Sequence, residues 1–192
     1  MLTVAVSEHE LEAVLDAGEL SCPVCSGRLS RWGFARGRQV RMLSGARSAR
    51  PRRVLCDGCG RTHVLCPAWS VPRRRDGAEV IGEALRQAAQ GAGHRAIAQR
   101  LGRAPGTVRG WLRAARARSE LLRCSAARWA DALDPELGRV QPAGSSLGDA
   151  VEALAIAVRA WTLRFGREHA GGWERAVWLT GGLLSGVPPP PR

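Results

Sequence analysis

A chain of 192 residues has room for one or two small domains, each near the lower size at which a hydrophobic core sustains itself. Its formal charge of +12 comes from 29 basic residues, every one of them Arg, against 17 acids. No run of about 18 uncharged apolar residues exists, which excludes a membrane-spanning helix, and the acidic start lacks the basic-then-apolar order of a secretory signal. A cytoplasmic protein is expected.

The charge is unevenly spread. Residues 1–21 carry a net −5, residues 22–75 a net +12, residues 76–123 a net +5, and residues 124–192 balance. A basic middle is the electrostatic footprint of a polyanion partner. Lys, Tyr and Asn are all absent, a bias that points to a GC-rich coding sequence. The choice of Arg over Lys is therefore not evidence of bidentate recognition at each position.

In chain order, residues 1–21 predict a short strand or coil and then a helix, with Ser7 and Glu10 as a capping box, Leu11, Val14 and Leu15 as its apolar stripe, and Gly18 past its end. Residues 22–72 lack helical periodicity and predict strands at Leu29–Phe34, Gln39–Leu43 and Thr62–Leu65. Ser44–Arg53, rich in Gly, Ser, Pro and Arg, predicts a loop. Val71–Arg75 is a basic linker. A helical block follows from Asp76 to about Arg123, opened by a second capping-box spacing at Asp76 and Glu79 and broken at Gly91. Residues 125–140 predict a short helix with a break at Asp134-Pro135-Glu136, and Gln141–Ser146 a linker. Ser146–His169 predicts a long amphipathic helix with Leu147, Val151, Leu154, Val158, Trp161 and Phe165 in its stripe. Gly172–Leu184 predicts a final helix, and Pro188–Arg192 an extended tail.

Two knuckles, Cys22-Pro-Val-Cys25 and Cys56-Asp-Gly-Cys59, are separated by thirty residues. Each turn aims two thiolates at one ion, and two turns complete a tetrahedral four-sulfur shell, the chemistry of structural Zn2+. The separation exceeds the usual 15–20 residues, which a ribbon with a long intervening hairpin accommodates. A redox dithiol or unligated buried thiols are the alternatives. His63 or Cys66 could replace one ligand, and Cys124 reads as a buried helical thiol.

The segment His94–Leu112 carries a helix-turn-helix pattern. Counting from His94, small Ala98 stands fifth, Gly102 ninth and apolar Val108 fifteenth; these let two helices approach, turn and pack. Ile97, Leu101, Trp111 and Leu112 complete the core, with residues 79–90 as a supporting helix. Pro105 opens the second helix. Thr107, Arg109, Gly110 and Arg113 would then face a major groove, with Arg109 and Arg113 able to read guanine. Arg95, Arg103 and Arg116 would lie near phosphates. Arg52 and Arg53, with Arg47 and Arg50, would extend the footprint from the ribbon.

The run Arg50-Pro-Arg-Arg-Val-Leu-Cys56-Asp-Gly-Cys59-Gly-Arg-Thr-His63, with 93–102 and 107–112, resembles the zinc-ribbon and homeodomain-like region of bacterial insertion-sequence transposases. The chain is also similar to small zinc-ribbon and helix-turn-helix proteins of high-GC bacteria. The resemblance covers residues 20–123 and implies zinc and DNA binding. It does not extend to catalysis. A ribonuclease-H-like domain needs a five-stranded sheet and three metal-binding carboxylates, whereas 124–192 reads as helical with its acids on polar faces.

The expected architecture is mainly α with a small β zinc ribbon: an N-terminal helix in 1–21, the ribbon in 22–72, the helix-turn-helix in 76–123, a helical region in 125–187 and a tail in 188–192. The expected function is a zinc-containing, nucleoid-associated binder of double-stranded DNA, a transcriptional regulator or transposon-associated factor, and not an enzyme. An adaptor docking on a polymerase or other machine, or a truncated transposase subunit, are the rivals. Residues 146–184 are expected to pack on a second copy or a partner, or else to fold back onto the chain's own helices.

Overall fold

Alternation of apolar and polar residues in the first third of the chain, and three-to-four spacing after it, divide the computed structural model into a sheet region and a helical region. The structure describes residues 1–4, 8–136, 141–166, 171–182 and 184. Strand β1 (Leu2–Val4) and helix α1 (Glu8–Asp16) lead into β2 (Leu29–Phe34), β3 (Arg38–Arg41), β4 (Ala46–Ala49), β5 (Arg52–Cys56) and β6 (Thr62–Pro67). The helices α2 (Ala78–Ala89), α3 (His94–Leu101), α4 (Pro105–Arg116), α5 (Ser119–Leu133), α6 (Ser146–Phe165) and α7 (Gly172–Leu179) follow.

The main sheet is mixed, in the order β1-β6-β5-β2. β5 runs antiparallel to both neighbours, and β1 lies parallel to β6 with Leu2 opposite Leu65. Val4, Leu29, Val54 and Leu65 point inward from these strands and meet Leu11 and Leu15 of α1, so the amphipathic stripe of the acidic segment closes the sheet core. β3 and β4 form a separate hairpin whose Val40 and Ala49 pack on Trp69.

β4 and the start of β5 lie inside Ser44–Arg53, where the sequence predicted a loop. Pairing overrode composition: Ala46–Ala49 is held by the ladder to β3, and Ala49 is fully buried. Ser7 of the first predicted capping box lies outside the described residues. The second is corrected. Gly77, not Asp76, is the N-cap of α2, and no side chain caps it.

Val80, Ile81, Ala84 and Leu85 of α2 bury their stripe against Ile97 and Ala98 of α3 and Val108, Trp111 and Leu112 of α4. Gly102 joins α3 to α4 in the left-handed conformation, with φ 60 and ψ 41. The helix expected over 125–140 instead starts at Ser119, directly after α4, and ends at Leu133; 137–140 lie outside the described residues. Cys124 is exposed on it, not buried.

Ser145 caps α6 by accepting a hydrogen bond from the Gly148 amide at 3.0 Å. α6 packs along α5 through small residues: Ala153 and Ala157 are buried with Ala126. Leu147 and Ala150 reach the α2–α4 core, and Trp161 packs edge-on to Trp178 of α7. The C-terminal helices thus fold back on the chain's own helices. The predicted reach of α6 to His169 and the tail 188–192 fall outside the described residues.

Candidate functional site

Both cysteine knuckles are built the same way. The amide of Cys22 donates to the Gly27 carbonyl, and that of Ser26 donates back to Cys22, each at 2.9 Å. Cys56 and Gly60 repeat this pattern with the Arg61 and Cys56 carbonyls, at the same distances. Ser26 and Gly60, each four residues past its first cysteine, both take positive φ, 56° and 68°. β2 and β5 deliver these two turns to the same end of the sheet, since Leu29 stands opposite Cys56.

The four sulfurs of Cys22, Cys25, Cys56 and Cys59 all lie within 4.8 Å of one another. Cys25 Sγ is 3.4 Å from Cys56 Sγ, and Cys22 Sγ is 3.8 Å from Cys59 Sγ. A tetrahedral ion with metal–sulfur bonds of about 2.3 Å has sulfur–sulfur edges of about 3.8 Å, so the four residues could hold a metal ion. The backbone closes tightly around them. A Cβ on Gly27 would stand 3.0 Å from Cys56 Sγ and 3.2 Å from Cys25 Sγ.

The electrostatics favour thiolates at Cys56 and Cys22. The Cys59 amide, outweighing desolvation and helped by the Cys25 thiol and the Gly58 amide, brings Cys56 down to about 7. Cys22 is lowered too: burial opposes it, but hydrogen bonds from the Val24 and Cys25 amides and from His63 prevail. Cys25 has the Gly27 amide in its favour, yet the neighbouring thiols of Cys56 and Cys59 push it up to about 12.

His63 is buried with Nε2 3.4 Å from Cys22 Sγ, beside the cluster and outside the four-ligand set. Cys66 is elsewhere, its Sγ 4.0 Å from Met1 Sδ, and burial raises its thiol.

The predicted phosphate and base contacts divide into two groups. Arg95 on α3, Arg109, Arg113 and Arg116 on α4, and Arg53 on β5 are exposed, and Thr107 is half-buried. Neither α3 nor α4 contains an acid. Arg52 and Arg103 are engaged within the chain. Arg52, whose side chain is 14% exposed, donates Nε to Glu12 at 2.8 Å and stacks on Phe34. Arg103, also 14% exposed, donates Nε to Asp76 Oδ1 at 2.6 Å, Nη1 to the Leu101 carbonyl, and Nη2 to the Met42 carbonyl at 3.0 Å. Both side chains are thus tied within the chain. Arg123 on α5 pairs with Glu120.

Sequence reasoning missed the centre of that network. The Asp76 carboxylate, 3% exposed, also accepts Arg41 Nη2 at 2.6 Å. Asp76 thereby joins β3, the start of α2 and the α3–α4 turn. Its two partners stand 35 and 27 residues away, and no local pattern announces them.

Fold and site together define a helical protein with a small mixed sheet and a four-cysteine cluster able to hold a metal ion. The chain belongs to the family described as Domain of unknown function (DUF6431), whose model matches residues 22–120. That span begins at the first knuckle and ends in the first turn of α5, so it takes in the cluster, the β3–β4 hairpin and α2 to α4. Neither a curated protein nor a solved structure matches the chain. Among the described residues no helix is long and apolar enough to cross a membrane.

Proposed function

We propose that this protein binds double-stranded DNA, with α3 and α4 as a helix-turn-helix, α4 as the recognition helix, and a structural Zn2+ on Cys22, Cys25, Cys56 and Cys59 of a zinc ribbon. The observation that carries the reading is the outer face of α4. Gly106, Arg109, Gly110, Arg113 and Arg116 follow one another at helical spacing, and the arginines are exposed with no acid on the helix. A Cβ on Gly106 or Gly110 would meet nothing within 4 Å, so the face is low between its arginines. Such relief lets a helix backbone sit deep in a major groove while long side chains reach base edges and phosphates. Four thiolates leave no coordination position for substrate, which supports a structural ion and a non-enzymatic protein. The resemblance to transposase DNA-binding regions supports a role in transcription or transposition.

Selection of duplexes from a random-sequence library tests the reading. An enriched motif is expected, and Arg109→Ala or Arg113→Ala should weaken it by about 1–3 kcal/mol if each reads a guanine. Binding unchanged in both variants removes α4 as the recognition helix.

A second reading, a protein-docking adaptor, is favoured by one feature. Trp32 is 57% exposed on β2, which among the described residues is an edge strand of the main sheet. Exposed aromatics on sheet edges mark partner sites. Trp32→Ser should leave DNA binding intact and abolish pull-down of an RNA polymerase if that reading holds.

A further inference from the structure

The β3–β4 hairpin has two different faces. Val40 and Ala49 turn inward onto Trp69, with Met42 beside them. Gln39, Arg41, Ala46 and Ser48 point outward and are exposed, a polar face of mostly small side chains. The tip is a tight turn in which the Met42 amide donates to the Gly45 carbonyl at 2.8 Å, and Leu43 on it is 55% exposed.

This hairpin does not hang free. The Arg41 amide donates to the Arg75 carbonyl at 2.7 Å, and the Gly77 amide donates to the Arg41 carbonyl at 2.9 Å. Asp76 takes Arg41 on one oxygen and Arg103 on the other, and Arg103 reaches the Met42 carbonyl beside the tip. Arg103 is two residues before Pro105, where α4 begins. The hairpin end is therefore fixed at the N-terminal end of α4, which in a helix-turn-helix is the end that meets base edges.

We infer that the hairpin end is a second DNA-contact element, a wing that lies on the minor groove flanking the major groove entered by α4. This rests on the DNA reading of α4. A duplex seated on α4 continues past its N-terminus, where Arg103 holds the hairpin tip through the Met42 carbonyl. The hairpin end offers Leu43 as an apolar contact for the groove, small Ala46 and Ser48 where the backbone passes, and the half-exposed edge of the Arg41 guanidinium, whose Nη2 is held by Asp76. Minor-groove binders use such apolar tips between cationic side chains.

Hydroxyl-radical footprinting of the full, zinc-loaded chain on a duplex recovered by selection tests it. Two separate protected regions are expected. The flanking one should be lost in Leu43→Ser and in Ala46→Glu, while the other persists and still responds to Arg113→Ala. Both positions are exposed, so the fold should be retained, which circular dichroism checks. A single protected region, or flanking protection that survives both variants, overturns the wing but leaves the α4 reading standing. A chain that selects no duplex overturns both.

Discussion

The carboxylate of Asp76, itself 3% exposed, receives a guanidinium on each oxygen, from half-exposed Arg41 and from largely buried Arg103. Breaking a buried ion pair by removing one partner is costly because the other charge stays behind. Asp76→Ala is expected to destabilise by about 3 kcal/mol, read as a shifted urea midpoint with unchanged slope. Glu12 holds a comparable position at the surface, accepting from Arg31 and Arg52, and the Arg31 hydrogen bond leads in holding its carboxyl below the ordinary value. It is 39% exposed, so solvent screening limits Glu12→Gln to under about 1 kcal/mol. The sign is set by the lowered carboxyl: its contribution is complete above the ordinary 4.5 and is lost as the pH falls through the folded value. At the cluster, Cys56 is depressed from 9.0 to about 7. Its thiolate thus favours the folded turn fully above pH 9 and ceases to do so as pH falls through 7. Metal occupancy, followed by a chromogenic chelator, should decline as acid protonates the thiolates and vanish in Cys56→Ser.

Two glycines on neighbouring helices should respond oppositely to the same methyl group. Gly82 of α2 lies directly under the Trp173 indole of α7, and a Cβ there would overlap the ring. Gly82→Ala is expected to cost about 1–3 kcal/mol as α7 is pushed away. Gly110 of α4 faces open space in ordinary helical conformation, and Gly110→Ala should add up to about 1 kcal/mol. Thermal melts of the two variants check both signs. At this scale the sequence was legible where pattern is local. Leu29–Phe34, a short β-favouring run, is β2; Gly102 and Pro105 mark the turn and start that α3 and α4 adopt. It was illegible where partners decide. Ala46–Ala49 has no strand signature and is a strand because β3 and Trp69 receive it. The stripe of α6 was read from its large residues, yet the buried face also runs through Ala150, Ala153, Ala157 and Ala160, with Phe165 54% exposed. Close approach of α5 rewards small side chains, which hydrophobic periodicity underweights. The knuckles were legible because four cysteines at that spacing have few other uses, whereas the Asp76 network depends on residues distant in sequence.

The sheet, the hairpin and the helical region each bury a separate apolar cluster. Chelation of the metal should therefore abolish near-ultraviolet signal from Trp32 while most of the far-ultraviolet helical signal remains. Complete loss of helicity would mean that the two regions unfold as one. The apolar stripe of residues 146–165 is largely covered by α5, α2 and α7. Sedimentation is accordingly expected to give a monomer, and a dimer dissociated by Phe165→Ser would locate a second interface on the residues still exposed. The parallel pairing of β1 with β6 also sets a timetable on the ribosome. Leu2 is synthesised well before Leu65, the residue it lies beside, and at about 5–20 residues per second the wait is roughly 3–13 s. Until β2, β5 and β6 have all emerged, the sheet that covers Leu11 and Leu15 is incomplete. The nascent acidic helix is thus an apolar face offered to the exit-tunnel surroundings for seconds, and codon speed through residues 16–67 governs how long.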